Sequence, residues 1–126
     1  GDIISSLIDE LPILFIACAY ASGKSIINNI EELRYKESDR ILSMEKGLRE
    51  LGIDVSSTES SISINGGQIN GGIVDSFDDH RVAMSFAISG IISSKPITIL
   101  KTKNIATSFP NFVDTLRKIN VEVYEI

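Results

Sequence analysis

The stretch Leu33-Arg34-Tyr35-Lys36-Glu37-Ser38-Asp39-Arg40 places five charged side chains in the seven positions from Arg34 to Arg40. Charge runs commonly mark a solvated helix face, and this one stands directly before an amphipathic segment. Its order of charges nevertheless points to chemistry. If Ser38 caps the helix that follows, Arg40 lies in the first turn, where the helix dipole disfavours a cation and free N–H groups attract anions. A bound phosphate or carboxylate would account for an arginine there, because its planar fork of donors matches such groups, and Lys36 adds a point charge nearby. Glu37, set between these cations, is either a general acid or base or their structural counter-ion; spacing leaves both readings open. A second corner, Asp79-His80-Arg81, opens a segment (Val82 to Ile92) too apolar to hold charges in its packed body. His80 by itself carries no role, since a lone histidine is more often a satisfied structural residue than a catalyst.

The elements that must position these corners are legible from periodicity. From Asp9 the chain reads as a helix, with Asp9 as its cap and Pro12 early enough that the missing donor costs little. Ile13, Leu14, Phe15, Ile16, Ala17, Cys18 and Ala19 make it apolar nearly all round, so it is buried on most sides. Gly23 ends it, and Lys24 to Ile30 reads as a short strand. The helix after Ser38 carries Ile41, Met44, Leu48 and Leu51 at spacings of three and four, and Gly52 stops it. Ile53-Asp54-Val55 and the alternating Ser61-Ile62-Ser63-Ile64, joined by polar residues, predict a β-hairpin, with a further short strand at Ile73-Val74. After the apolar helix Val82 to Ile92 come a strand within Lys95 to Leu100, a helix with Phe112, Leu116 and Ile119 on one face, and a final strand Val121 to Tyr124. Shifted by about seventy residues the chain overlays itself. Asp9 falls on Asp79, Ala17 on Ala87, and Leu48-Arg49-Glu50-Leu51-Gly52-Ile53-Asp54-Val55 on Leu116-Arg117-Lys118-Ile119-Asn120-Val121-Glu122-Val123. Two stacked α/β units follow, with buried helices, outer sheets, and an aspartate at the mouth of each unit's first helix.

Composition removes several function classes. A chain of 126 residues that is 43% hydrophobic can bury a core as one domain. A net charge of −5 disfavours nucleic acid and anionic membranes as partners, so any anion must be gripped locally. The single cysteine, Cys18, permits no internal disulfide and sits in an apolar run, consistent with core packing in the reducing cytoplasm. That run, Leu11 to Ala21, is too short to span a bilayer and follows Asp9 and Glu10 rather than basic residues. One histidine and one cysteine without paired ligand spacing give a metal site no support. Cys18, amid apolar neighbours with no activating base in sight, is no nucleophile. The paired glycines Gly66-Gly67 and Gly71-Gly72 lack the strand-to-helix context of a phosphate loop and read as turns.

Three motifs carry a resemblance: Leu33 to Arg40, Asp79-His80-Arg81-Val82-Ala83-Met84-Ser85-Phe86, and Ile105-Ala106-Thr107-Ser108-Phe109-Pro110. Together with Asp9 in Leu7-Ile8-Asp9-Glu10-Leu11-Pro12, they resemble the carboxy-terminal part of the 5-enolpyruvylshikimate-3-phosphate synthases, in order and spacing, over essentially the whole chain. The resemblance implies an α/β fold of the two-domain enolpyruvyl transferase kind, each domain an inside-out, barrel-like array of repeated units with helices inside and mixed sheets outside. Residues 1–126 would then be a partial carboxy-terminal domain, with repeat units at about 3–74 and 75–126, a piece of a longer protein whose amino-terminal domain is absent. It implies transfer of the enolpyruvyl group of phosphoenolpyruvate to the 5-hydroxyl of shikimate 3-phosphate, releasing phosphate, with no metal or organic cofactor. Asp9 matches the family's proton acceptor on the shikimate hydroxyls, and Glu37 the glutamate that moves protons at the methylene carbon. Lys36 matches a contact to the shikimate phosphate; Arg40 and Arg81 match the arginines that hold phosphoenolpyruvate.

Thr107 stands where many members have lysine, and the Ala-Thr-Ser-Phe-Pro sequence resembles a divergent, glyphosate-tolerant subgroup. Alone, the chain is expected to be inactive, because the amino-terminal substrate contacts are not in it. Two other readings stand beside this one: a non-catalytic phosphate-ligand-binding or interaction module on the same scaffold, and an enolpyruvyl transferase with another acceptor, which the charged motifs fit poorly.

Overall fold

The structure, a computed structural model, describes residues 2–93, 95–103, 105, 110–118 and 122, with side chains described from Leu7 onward. Helix α1 (Asp2–Tyr20) leads into strand β1 (Gly23–Ile27) and a 3-10 turn (Glu31–Tyr35). Helix α2 (Arg40–Glu50) is followed by β2 (Asp54–Ser57), β3 (Ile62–Gly66) and β4 (Gly72–Asp75), then α3 (His80–Ser93), β5 (Ile97–Leu100) and α4 (Phe112–Lys118). The expected final strand, Val121 to Tyr124, lies outside the described residues apart from the isolated Glu122, and Thr107 also lies outside them.

Periodicity located α2 well. Ile41, Met44, Leu48 and Leu51 are fully buried, and Gly52 takes a φ of 86°, the left-handed conformation that ends a helix and that glycine adopts without a Cβ clash. The reading of α1 needs correction. It begins at Asp2, so Asp9 is an interior residue and not a cap, and Pro12 lies inside the helix. The apolar segment Ile3-Ile4 and Leu7-Ile8 carries the helical pattern upstream of Asp9, and an aspartate in a helix interior is only mildly unfavourable, so nothing at Asp9 stops it.

Hydrogen bonding assembles two sheets. The predicted β2–β3 hairpin forms, with Val55 opposite Ile64 and Asp54 opposite Asn65. β1 joins the other edge of β3, also antiparallel, giving the order β1-β3-β2. β4 and β5 pair in parallel with α3 between them, the connection a parallel pair requires. Helices α1, α2 and α3 touch one another, and each also packs on strands: α1 on β3, α2 on β2 and β4, α3 on β5. The main core gathers Phe15, Ile16, Leu33, Ile41, Met44, Leu48, Ile62, Ile64, Val74, Val82 and Phe86; Ala83, Ile105, Phe112 and Leu116 form a smaller cluster.

The end of β3 meets the end of α1 at a glycine. A Cβ on Gly66 would lie 1.4 Å from the main-chain oxygen of Ala21, and the amide of Gly67 donates to the Ala19 carbonyl at 3.0 Å. Backbone cannot swing aside as a side chain can. Gly66→Ala is therefore expected to destabilise by the upper part of the about 1–3 kcal/mol typical of overpacking. A urea midpoint equal to that of the unsubstituted chain would contradict this close approach.

Candidate functional site

The two charged corners meet around one buried carboxylate. Asp79, immediately before α3, has 0% of its surface exposed. Its Oδ1 accepts from the amides of Arg81 at 3.0 Å and Val82 at 3.3 Å, capping α3. Its Oδ2 accepts from Arg40 Nε at 2.8 Å, the Ser38 hydroxyl at 2.8 Å and the Ser38 amide at 3.2 Å. Five donors on one carboxylate weld the entrance of α2 to the entrance of α3. Phe77 and Asp78, just upstream, hold φ values of 54° and 59°, a left-handed pair without glycine. Such conformations persist where surrounding contacts over-determine them: the Asp79 amide donates to the Ser76 carbonyl at 3.0 Å across the pair, and the Phe77 amide donates to Asp75 Oδ1 at 2.7 Å.

Two expectations about the first corner change. The cap of α2 is Asp39, whose Oδ1 accepts from the Leu42 amide at 3.1 Å while Oδ2 takes Arg34 Nη1 at 2.7 Å. Ser38 is turned instead to Asp79, and Ser43 donates to its hydroxyl at 3.0 Å. The arginine set against the dipole of α2 is also compensated within the chain. Arg40 is 3% exposed, and besides Asp79 its Nη1 meets Asp9 Oδ1 at 3.3 Å. Two carboxylates compensate it at that position. Nor are the two corners equivalent: Asp79 caps its helix, whereas Asp9 reaches the site from the third turn of α1.

All five site residues expected from the sequence reach this junction. Asp9 stands between Arg40 and Lys36, whose Nζ lies 3.7 Å from Asp9 Oδ1. Arg81 Nη1 pairs with Glu10 Oε1 at 3.0 Å, one residue along α1. Glu37 projects to the first residue of α3, where its Oε2 accepts from the His80 amide at 3.1 Å and its Oε1 bonds to His80 Nδ1. The counter-ion reading of Glu37 is thereby altered, because Lys36 and Arg40 turn to aspartates and Glu37 to a histidine. Sequence reasoning gave Asp79, His80, Ser38 and Glu10 no part in this network. The available signals were the charged corner Asp79-His80-Arg81 and the overlay that sets Asp9 on Asp79, which mark positions but not partners. Arg34 buttresses the same stretch, donating to the carbonyls of Thr58 at 2.5 Å and Glu59 at 3.0 Å in the β2–β3 turn.

Electrostatics of the junction follow from burial and pairing. Burial acts to raise the Asp79 carboxyl, but the hydrogen bond and charge of Arg40, with bonds from Ser38 and the Val82 amide, outweigh it and hold the group below its ordinary value. A depressed folded-state value contributes stability that is fully present above the unfolded carboxylate value, about 3.9, and is lost as pH falls through the folded one. Urea midpoints measured from neutral into acid are therefore expected to fall below about pH 4, and to fall less steeply in Asp79→Asn. Parallel acid limbs for the two chains would remove Asp79 from the explanation. Glu37, Asp79 and His80 also offer three potential metal-ligand atoms within 4.8 Å of one another, a grouping invisible in the sequence. Both Asp79 oxygens already accept from protein donors, and the Arg40 guanidinium beside them opposes a second cation.

The family model for EPSP synthase (3-phosphoshikimate 1-carboxyvinyltransferase) matches residues 2–116. The chain belongs to the EPSP synthase family. A 3-phosphoshikimate 1-carboxyvinyltransferase of Legionella pneumophila (strain Lens) is 49% identical over 118 residues, 94% of this chain and 27% of the relative. One of Coxiella burnetii (strain CbuK_Q154) is 44% identical over 122 residues, 97% of this chain and 28% of the relative. A solved structure of EPSP synthase from Acinetobacter baumannii superimposes with a TM-score of 0.83 at 46% identity, covering 88% of this chain and 27% of that one. The chain thus has the mixed α/β fold of EPSP synthases and spans just over a quarter of the length of the family members it matches. Among the described residues no helix is long and apolar enough to cross a membrane.

Proposed function

We propose that this chain supplies one wall of an active site that transfers the enolpyruvyl group of phosphoenolpyruvate to the 5-hydroxyl of shikimate 3-phosphate, releasing phosphate. The observation that carries the reading is the convergence of Asp9, Lys36, Glu37, Arg40 and Arg81 at the junction of α1, α2 and α3. Addition of a hydroxyl across the phosphoenolpyruvate double bond needs a base for the O–H proton and an acid for the methylene carbon; loss of phosphate then returns that carbon's proton. Asp9 serves as the base toward the shikimate hydroxyls and Glu37 as the group at the carbon. Lys36 holds the phosphate of shikimate 3-phosphate, while Arg40 and Arg81 hold phosphoenolpyruvate and the tetrahedral intermediate. The cations are kept in position by carboxylates that incoming anions would share or replace. We take residues 1–126 as a partial carboxy-terminal domain, with repeat units at about 3–74 and 75–126, working in the cytoplasm against an amino-terminal domain that closes the cleft.

The test is a chimera in which this chain replaces the matching segment of the Legionella pneumophila relative, 49% identical over that span. Phosphate release from phosphoenolpyruvate is expected only when shikimate 3-phosphate is present, and not from this chain alone. A folded chimera that binds both ligands without releasing phosphate would favour the non-catalytic module and overturn the reading.

A further inference from the structure

We propose that His80 is the positioning residue for Glu37, holding both oxygens of its carboxyl group so that proton exchange with the substrate occurs along one fixed direction. The inference rests on the reading of Glu37 as the group that moves protons at the methylene carbon. Glu37 sits in the irregular stretch between the 3-10 turn and α2, and its side chain is 37% exposed. Left to itself such a side chain samples many rotamers, few of which aim a carboxyl oxygen at a reacting carbon. His80 restricts it at two points. Its amide, one of the free N–H groups at the start of α3, donates to Oε2 at 3.1 Å, and its ring Nδ1 bonds to Oε1. The ring is itself fixed, because its side chain is 18% exposed and its backbone neighbour Asp79 is fully buried with five donors. When Glu37 gives its proton, the carboxyl O–H bond breaks as the methylene C–H bond forms, and the reverse transfer restores the acid. In both directions the His80 amide and ring remain on the same two oxygens, each of which keeps a second lone pair for the exchanging proton.

Asparagine and glutamine separate this role from bulk or stability. The side-chain amide of Asn can stand where Nδ1 stands, whereas that of Gln reaches the place of Nε2. In the chimera, His80→Ala and His80→Gln are expected to lower kcat by about 10- to 100-fold, the scale of losing a fixed reacting geometry, with little change in KM. His80→Asn is expected to recover most of that loss. Equal kcat for His80→Ala and the unsubstituted chimera, or no recovery by Asn, would overturn the proposal. A second measurement needs no turnover. His80 is the single histidine of this chain, so with 15N label confined to this segment its ring nitrogens give unambiguous NMR signals. The neutral ring is expected to carry its proton on Nδ1, donated to Glu37, and to move it toward Nε2, the form preferred in water, in Glu37→Ala. A ring already protonated on Nε2, or one indifferent to Glu37→Ala, overturns the positioning role whether or not the chimera turns over. An inactive chimera with the expected tautomer would instead count against the proposed reaction alone.

Discussion

Asp79→Ala is expected to cost about 3–5 kcal/mol of folding stability, the range found when one partner of a buried ion pair is removed. The reason lies in what remains. Arg40 is 3% exposed, and its Nε would lose the partner at 2.8 Å, keeping among the described residues Asp9 at 3.3 Å on Nη1. The Ser38 amide and hydroxyl and the first amides of α3 would lose their acceptor at the same time. Against a total of about 5–15 kcal/mol for a natural domain, this is a large fraction. The measurement is urea unfolding followed by circular dichroism. The double variant Arg40→Met with Asp79→Leu supplies the contrast: with no charge left buried, it is expected to recover most of the loss while abolishing any phosphoenolpyruvate binding that depends on Arg40. A single-variant cost near the about 1 kcal/mol average of point substitutions would show that the carboxylate is not the keystone of the junction.

Glu37→Gln is expected to lower kcat of the chimera by about 10²- to 10⁴-fold, the usual contribution of a positioned general acid or base, with KM for both substrates nearly unchanged. Gln retains the size of Glu and an oxygen that can accept from the His80 amide, while its NH2 group requires the ring to accept at Nδ1 and the exchangeable carboxyl proton is lost. In the structure no ion pair joins Glu37 to Lys36 or Arg40 among the described residues; its recorded partner is His80. A purely neutralising role would predict looser substrate-binding cations, seen as a raised KM with kcat intact. That outcome would remove Glu37 from the chemistry and leave Asp9 as the one candidate acid or base of the five site residues.

Local pattern and tertiary structure divided the protein between them in a way that particular residues explain. The apolar spacing of Ile41, Met44 and Leu48, the stop at Gly52, the alternation of Ile62 and Ile64 and the apolar run after Arg81 each express a preference that acts within a few residues, and the corresponding elements formed where that preference lay. The choice of cap for α2 was not local. Ser38 and Asp39 are both good capping residues, and the decision for Asp39 came from Asp79, 41 positions beyond Ser38, which engages the Ser38 hydroxyl. The same holds for Arg40, whose odd place at a helix entrance is answered by carboxylates 39 and 31 positions away. Helix α1 starts upstream of Asp9 because the apolar pattern runs through that capping-type residue, and an aspartate alone does not stop a helix.

By itself the sequence determined the composition of the candidate site: three cations and two carboxylates, in motifs that resemble those of EPSP synthases, on an α/β chain. Only the tertiary structure decided the pairing, with β1 on β3, Arg40 on Asp79 and Asp9, and Glu37 on His80 rather than on its charged neighbours. Periodicity and propensity report the energy of a residue with its near neighbours along the chain. Ion pairs and buried hydrogen bonds depend on which distant groups packing brings within 3 or 4 Å, and on how far it excludes the water that would otherwise screen them.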